Sequence, residues 1–158
     1  LFISDLHLME AQSHITEIFL NFLKKHSGQA DALYILGDFF EVWIGDDDNS
    51  DLNQQIITAL REATQQGLPI YLMHGNRDFL ISKNFIEKTG CILLGEEEKI
   101  SLYGTPVLLM HGMPLYLFVI QRAYPSAFAD QYVQAYEFLP VNIPRYQLPF
   151  RVLHARDQ

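Results

Sequence analysis

Cysteine is almost missing from this chain, with Cys91 the single one among 158 residues. One thiol excludes an internal disulfide framework and suits a reducing compartment. Cys91 stands in the apolar run from Cys91 to Leu94 with no histidine beside it, which marks it as core rather than as a nucleophile. Long hydrophobic runs are absent too. No stretch reaches the roughly 18 apolar residues that a membrane helix needs, and no charged-then-apolar leader precedes the first strand-like segment. Positive charge is scarce, since 11 Lys and Arg stand against 19 Asp and Glu, for a formal net charge of -8. That balance argues against general binding to a nucleic-acid backbone, and no nucleic-acid partner is expected. An anionic substrate would have to be held by metal ions or by a local arginine. A cytoplasmic location is the default reading. The chain opens at Leu1, already inside a strand-like run, so a few leading residues are expected before it.

Glycine and lysine disappear from the last third. All nine glycines and all five lysines lie at or before residue 112, whereas five of the seven prolines lie after it. Residues 1–112 carry 7 basic and 16 acidic groups; residues 113–158 carry 4 and 3. Prolines at that density interrupt helices, and no period of 2 or 3.6 persists there. Residues 1–112 are therefore read as the folded domain, and 113–158 as a divergent tail, irregular or poorly ordered. The composition break points to a change of reading frame or a mis-joined sequence.

Within residues 1–112, short apolar runs alternate with amphipathic stretches. Leu1 to Ser4, Ala32 to Leu36 and Pro69 to Met73 read as buried strands. Between them, Ile15, Ile18, Phe19, Phe22 and Leu23 recur at helical spacing, with Ser13 as N-cap and Gly28 as terminator. Leu52, Ile56, Ala59, Leu60 and Ala63 mark a second helix, stopped by Gly67. The apolar stripe of the first helix is expected to pack on the sheet rather than on a membrane, because its basic groups gather at one end. Ser82 to Thr89 reads as a short helix closed by Gly90, and Ile100–Tyr103 and Val107–Met110 as a hairpin around Gly104-Thr105-Pro106. Strand-helix alternation implies right-handed βαβ units and a parallel sheet, with ligands beyond the carboxyl ends of its strands.

The polar clusters fall at those ends: Asp5-Leu6-His7, Gly37-Asp38, His74-Gly75-Asn76-Arg77-Asp78 and His111-Gly112. Carboxylate, carboxamide and imidazole groups are the donors that Mn²⁺, Mg²⁺ or Zn²⁺ accept. If the first segment is extended, Asp5 and His7 point the same way and share one ion. Asp38, after a turn that Gly37 permits, could bridge two ions through both carboxylate oxygens, while Asn76 and His111 serve the second. Arg77, always protonated, suits bidentate contact with phosphate but cannot protonate a leaving group, which favours a phosphoanhydride substrate. Taken singly, each cluster is more simply a cap or a turn; their ordered recurrence carries the reading. His74 reads as a structural hydrogen-bonder, and Asp78 as a residue that orients a ligand or caps a turn. Asp46-Asp47-Asp48 reads as a solvated loop and Glu96-Glu97-Glu98 as a charged loop. His14, His26 and His154 read as surface residues.

These motifs resemble the calcineurin-like metallophosphoesterases, whose ordered pattern is Asp-x-His, Gly-Asp, Gly-Asn-His-Asp or Glu, His, and finally Gly-His-x-His. The segments Phe2 to Leu8, Leu33 to Asp47 and His74 to Leu80 are most similar to the branch acting on UDP-2,3-diacylglucosamine in lipid A biosynthesis, where Arg replaces the third-motif His. The resemblance implies an α/β fold, the N-terminal βαβαβ half of a four-layer α/β/β/α sandwich. It implies two Mn²⁺ ions on Asp5, His7, Asp38, Asn76 and His111, with Asn76 and Arg77 contacting substrate phosphate and Asp38, Asn76 and Arg77 serving catalysis. The implied reaction is hydrolysis of the pyrophosphate of that UDP-linked glycolipid to UMP and 2,3-diacylglucosamine 1-phosphate. It takes place at the cytoplasmic face of a Gram-negative inner membrane, with peripheral membrane contact and no protein partner. From Met113 onward the pattern departs, and no Gly-His-x-His follows, so each ion is one histidine short. Two alternatives stay open: a different metallophosphoesterase, acting as a nucleotide phosphatase or phosphodiesterase, or a non-catalytic metal-binding remnant.

Overall fold

The structure, a computed structural model, describes residues 1–111 and the backbone of residues 151–153. Strand β1 (Phe2–Ser4) is followed by a 3-10 turn (Glu10–Gln12), helix α1 (Ser13–His26), strand β2 (Leu33–Leu36), helix α2 (Asp51–Gln65), strand β3 (Ile70–Met73) and helix α3 (Lys83–Thr89). Strands β4 (Ile92–Leu93), β5 (Glu97–Leu102), β6 (Thr105–Met110) and β7 (Arg151–Leu153) complete the order. The main sheet runs β4-β3-β2-β1-β7. Its first four strands are parallel, as the βαβ reading requires, and β7 lies antiparallel to β1.

Alternation along each strand divides the core between two faces. Ile3, Leu33, Ile35, Ile70 and Leu72 point to the helices, where Phe19 and Leu23 of α1 and Ile56 and Leu60 of α2 meet them. Phe2, Tyr34, Leu36 and Met73 point to the other face and pack against Ile100, Val107 and Leu109 of the β5–β6 hairpin. At about 25 cal/mol per Å² of apolar surface removed from water, these two faces supply the main force that holds the sheet between its neighbours. Phe2, Tyr34 and Tyr71 occupy one cross-strand row and stack, with ring centroids 4.8 and 4.7 Å apart. The α1 stripe packs on the sheet through Ile15, Phe19 and Leu23, whereas Ile18, expected in it, is exposed; Cys91 is buried in the same core, which pushes its thiol up to about 11.

Several local expectations change. Ser13 is the first residue of α1, not its cap. The 3-10 turn held by Gln12 N–H donating to the Met9 carbonyl begins the helix instead. The cap in α2 is Ser50, whose hydroxyl accepts from Asn53 N–H. The hairpin turns on Tyr103-Gly104, with φ of 50° and 88°, and not on Gly104-Thr105-Pro106. A two-residue turn with both φ positive matches the twist of its strands, and Pro106 fits in β6 because a two-stranded hairpin leaves half its amides unpaired. Glu97 and Glu98 belong to β5 rather than to a loop, alternating across an exposed ladder. In the tail, expected to be irregular, Arg151–Leu153 forms the edge strand β7; residues 112–150 and 154–158, with His154, lie outside the described residues.

Candidate metal centre

The carboxyl ends of β1, β2, β3 and β6 converge, and their loops continue side by side after the regular ladder ends. Asp5 N–H donates to the Gly37 carbonyl (3.1 Å), His7 N–H to the Asp38 carbonyl (3.0 Å) and Leu8 N–H to the Phe39 carbonyl (2.9 Å). Asp5, His7 and Asp38 all adopt left-handed backbone, with φ of 56°, 49° and 48°. The Asp5-Leu6-His7 segment is therefore not extended, and the alternation that would have pointed Asp5 and His7 together does not apply. Left-handed conformations cost non-glycine residues of order 1 kcal/mol or more, and they gather where side chains must be aimed.

Asp5, Asp38 and His111 present ligand atoms that all lie within 4.8 Å of one another. The triad crosses the expected division, in which Asp5 and His111 served different ions. Asp38 is its centre. Its Oδ1 accepts from Arg77 N–H at 3.0 Å, while its Oδ2 lies 3.5 Å from His111 Nε2 and 3.9 Å from His7 Nε2. One carboxylate oxygen thus faces both imidazoles while the other accepts from backbone.

The tautomers follow from the partners. His111 Nδ1 lies 2.8 Å from the Leu36 carbonyl, an acceptor only, so that nitrogen carries a proton and donates, and Nε2 is the nitrogen turned toward Asp38. His7 Nδ1 lies 2.7 Å from Glu41 Oε2, with the same consequence for its Nε2. An imidazole whose outer nitrogen is fixed by an oxygen acceptor is the usual arrangement of a metal ligand. His7 stands just outside the tight triad, with its free nitrogen directed at the same oxygen of Asp38.

Two glycines make the convergence possible. A Cβ on Gly37, whose φ is 75°, would enter the His111 ring, and one on Gly75 would collide with the backbone and carboxylate of Asp38. Asp78, fully buried, joins the two loops: Oδ2 accepts from Phe39 N–H (2.7 Å) and Phe40 N–H (3.3 Å), and Oδ1 from Gly75 N–H (2.7 Å). It is a structural tie at the site. His74 is likewise structural, its Nε2 donating to the Ile81 carbonyl at 2.7 Å. Asn76 and Arg77 are exposed on the β3 loop beside Asp38.

Two residues escaped the sequence reading. Glu41 accepts from His7 through Oε2 and from Arg77 Nη1 through Oε1 (3.1 Å), joining two residues of interest. Its signal was an acid one short loop beyond the Gly-Asp turn. Asp46, read as part of a solvated loop, is nearly buried and accepts from Trp43 Nε1–H, Ser82 N–H, Ser82 Oγ–H and Phe85 N–H. It caps α3 from a distant loop, which no local pattern announces. Burial works to raise its pKa, but the bonds from Ser82, Phe85 and Trp43 outweigh that and hold it below 3.8. His14 is exposed as expected, whereas His26 packs its ring on Phe22, with centroids 4.9 Å apart.

Carboxylates and imidazoles gathered where the parallel strands and the β5–β6 hairpin end form a donor set suited to a metal ion, and the comparisons give the class as a metallophosphoesterase. The chain belongs to the calcineurin-like phosphoesterase family, which matches residues 1–146. It is 58% identical over 112 residues to the UDP-2,3-diacylglucosamine hydrolase of Ectopseudomonas mendocina, covering 71% of this chain and 46% of that protein. The protein of the same name from Klebsiella pneumoniae is 55% identical over 112 residues, covering 71% and 47%. This chain therefore spans about half the length of the curated relatives it matches. Among solved structures, a phosphoesterase from E. coli superposes with a TM-score of 0.42 at 21% identity, covering 70% of this chain and 56% of that one.

Proposed function

We propose that this chain carries the N-terminal part of the catalytic centre of a hydrolase that cleaves the pyrophosphate of UDP-2,3-diacylglucosamine. The products are UMP and 2,3-diacylglucosamine 1-phosphate, and the step belongs to lipid A biosynthesis. The observation that carries the reading is the Asp38 carboxylate, placed within one ion's reach of Asp5 and His111 and faced by the free Nε2 atoms of two histidines. Hard-to-borderline oxygen and nitrogen donors of this kind fit Mn²⁺, and Asp5, His7, Asp38, Asn76 and His111 would hold two such ions. Bound there, the dications supply Lewis acidity, both to activate water and to neutralise charge on the phosphoryl group.

The chain's own residues set the rest. Asp5 and Asp38 bring two negative charges against four positive ones, so the loaded site attracts a polyanion in spite of the acidic surface. Arg77 stands on the same loop as Asn76, its main chain held by Asp38 Oδ1 and its Nη1 by Glu41, which leaves its remaining guanidinium N–H groups to grip a phosphate. Because that fork cannot supply a proton, the leaving group must depart as a stable anion, which a phosphate does and an alkoxide does not. The specific substrate rests on the relatives' names at 53–58% identity. A lipid-bearing substrate and peripheral contact with the inner membrane agree with the exposed apolar side chains Val42, Ile44, Phe79 and Leu80. They flank a join where Trp43 N–H donates to the Arg77 carbonyl.

The test is Mn²⁺-dependent release of UMP from UDP-2,3-diacylglucosamine by the 158-residue chain beside a version extended with a relative's C-terminal half. Release by the extended version, abolished by Asp38→Asn, is the expected result. Turnover of simple phosphodiesters or nucleotides in preference to the UDP-lipid would overturn the reading.

A further inference from the structure

We propose that Glu41 is a positioning residue that fixes His7 as a metal ligand and sets Arg77 beside it as one unit; the inference rests on the two-ion reading above. Both carboxylate oxygens are committed, Oε2 to His7 Nδ1 at 2.7 Å and Oε1 to Arg77 Nη1 at 3.1 Å. The Glu41 side chain is about three-quarters buried, with 26% exposure, whereas that of Arg77 is 54% exposed. A long arginine on an open loop would otherwise sample many rotamers, and anchoring Nη1 removes much of that freedom while leaving its other N–H groups for a phosphate.

Backbone geometry supports the assignment. Glu41 N–H donates to the Leu8 carbonyl (3.1 Å), and Leu8 pairs with Phe40 as an isolated parallel bridge, so Glu41 is registered against the residue that follows His7. The adjoining Trp43 N–H reaches the Arg77 carbonyl at 3.3 Å. Glu41 is thereby held from both sides by the segments whose side chains it contacts. A surface ion pair formed by chance has no such framing. His7, the more exposed of the two imidazoles at 36%, has a solvent-facing ring that the Glu41 bond orients. The more enclosed His111 takes a backbone carbonyl for the same purpose.

The experiment compares the full 158-residue chain with Glu41→Ala and Glu41→Gln. First, ¹⁵N imidazole spectra of the metal-free proteins at a pH where His7 is neutral report its tautomer. The Nδ1–H form should dominate in the parent and in Glu41→Gln, which keeps an acceptor, and should give way in Glu41→Ala. Second, calorimetric titration with Mn²⁺ should show affinity reduced tenfold to a hundredfold in Glu41→Ala and less in Glu41→Gln, the range usual for outer partners of metal ligands. Third, in the extended enzyme the Glu41→Gln change should raise KM for the UDP-lipid with kcat changed less, because Arg77 loses its anchor. An unchanged tautomer, or Mn²⁺ affinity of Glu41→Ala within twofold of the parent, overturns the proposal. A parent that binds no Mn²⁺ yet shows the tautomer shift would instead overturn the two-ion reading, and the metal role of Glu41 with it.

Discussion

Replacing Asp78 by Asn changes one atom pair and should still cost much of the stability of the domain. The carboxylate is fully buried and takes three backbone N–H groups, Gly75 on one oxygen and Phe39 and Phe40 on the other. Asparagine offers a single oxygen. Turned toward Phe39 and Phe40, it sets its NH₂ against Gly75 N–H, two donors face to face where 2.7 Å now separates donor and acceptor. Weakening two charge-assisted bonds costs about 1 kcal/mol, and orphaning one buried donor roughly 2–3 kcal/mol, for a loss of about 3–4 kcal/mol. Against the 5–15 kcal/mol typical of whole domains this is a large fraction. Urea denaturation followed by tryptophan fluorescence, Trp43 being the sole reporter, should show the midpoint falling by about 1–3 M. Mn²⁺ affinity should fall in the same variant, because Asp78 ties the loop of Asp38 to that of Asn76. A loss under 1 kcal/mol with unchanged Mn²⁺ affinity would refute the view that this one side chain joins the two loops.

Four further outcomes follow from the geometry. His111→Ala should lower Mn²⁺ affinity by at least the tenfold to hundredfold seen for outer partners, measured by calorimetry, since it removes a donor of the triad itself. Gly37→Ala should do the same, because its Cβ would displace the His111 ring and its φ of 75° disfavours any side chain; Mn²⁺ titration beside a melting curve separates the two effects. Asp46 is held below 3.8 in the fold by its hydrogen bonds, so its stabilising contribution is complete above its unfolded value and is lost as pH falls through the lower folded one. Acid unfolding of Asp46→Asn should accordingly lose stability less steeply below about pH 4 than the parent does, from a lower starting value. Cys91, pushed up to about 11 by burial, should resist thiol reagents at pH 8 until the chain unfolds, which a timed labelling assay with and without urea will show.

The order of the elements and the positions of the polar clusters were legible in the amino-acid sequence because both are local. Apolar runs of four or five residues alternate with helical stripes, and glycine stands within two residues of the ends of the second and third strands, at Gly37 and Gly75. That was enough to predict a parallel sheet with Asp5, Asp38, Asn76 and Arg77 beyond its carboxyl ends, and to expect Cys91 in the core; His111 instead follows β6 of the separate antiparallel hairpin. The tertiary structure decided how those side chains meet. The left-handed backbone at Asp5, His7 and Asp38 replaces the extended geometry that periodicity implied, since hydrogen bonds between neighbouring loops, not the strand period, aim the side chains there. The grouping of Asp5 with Asp38 and His111, the hydrogen-bond partners of the two imidazoles, the capping of α3 by Asp46 and the bridging position of Glu41 all depend on partners 33 or more residues apart. Contacts at that separation leave no local periodicity to read, because they arise only when folding closes the intervening chain.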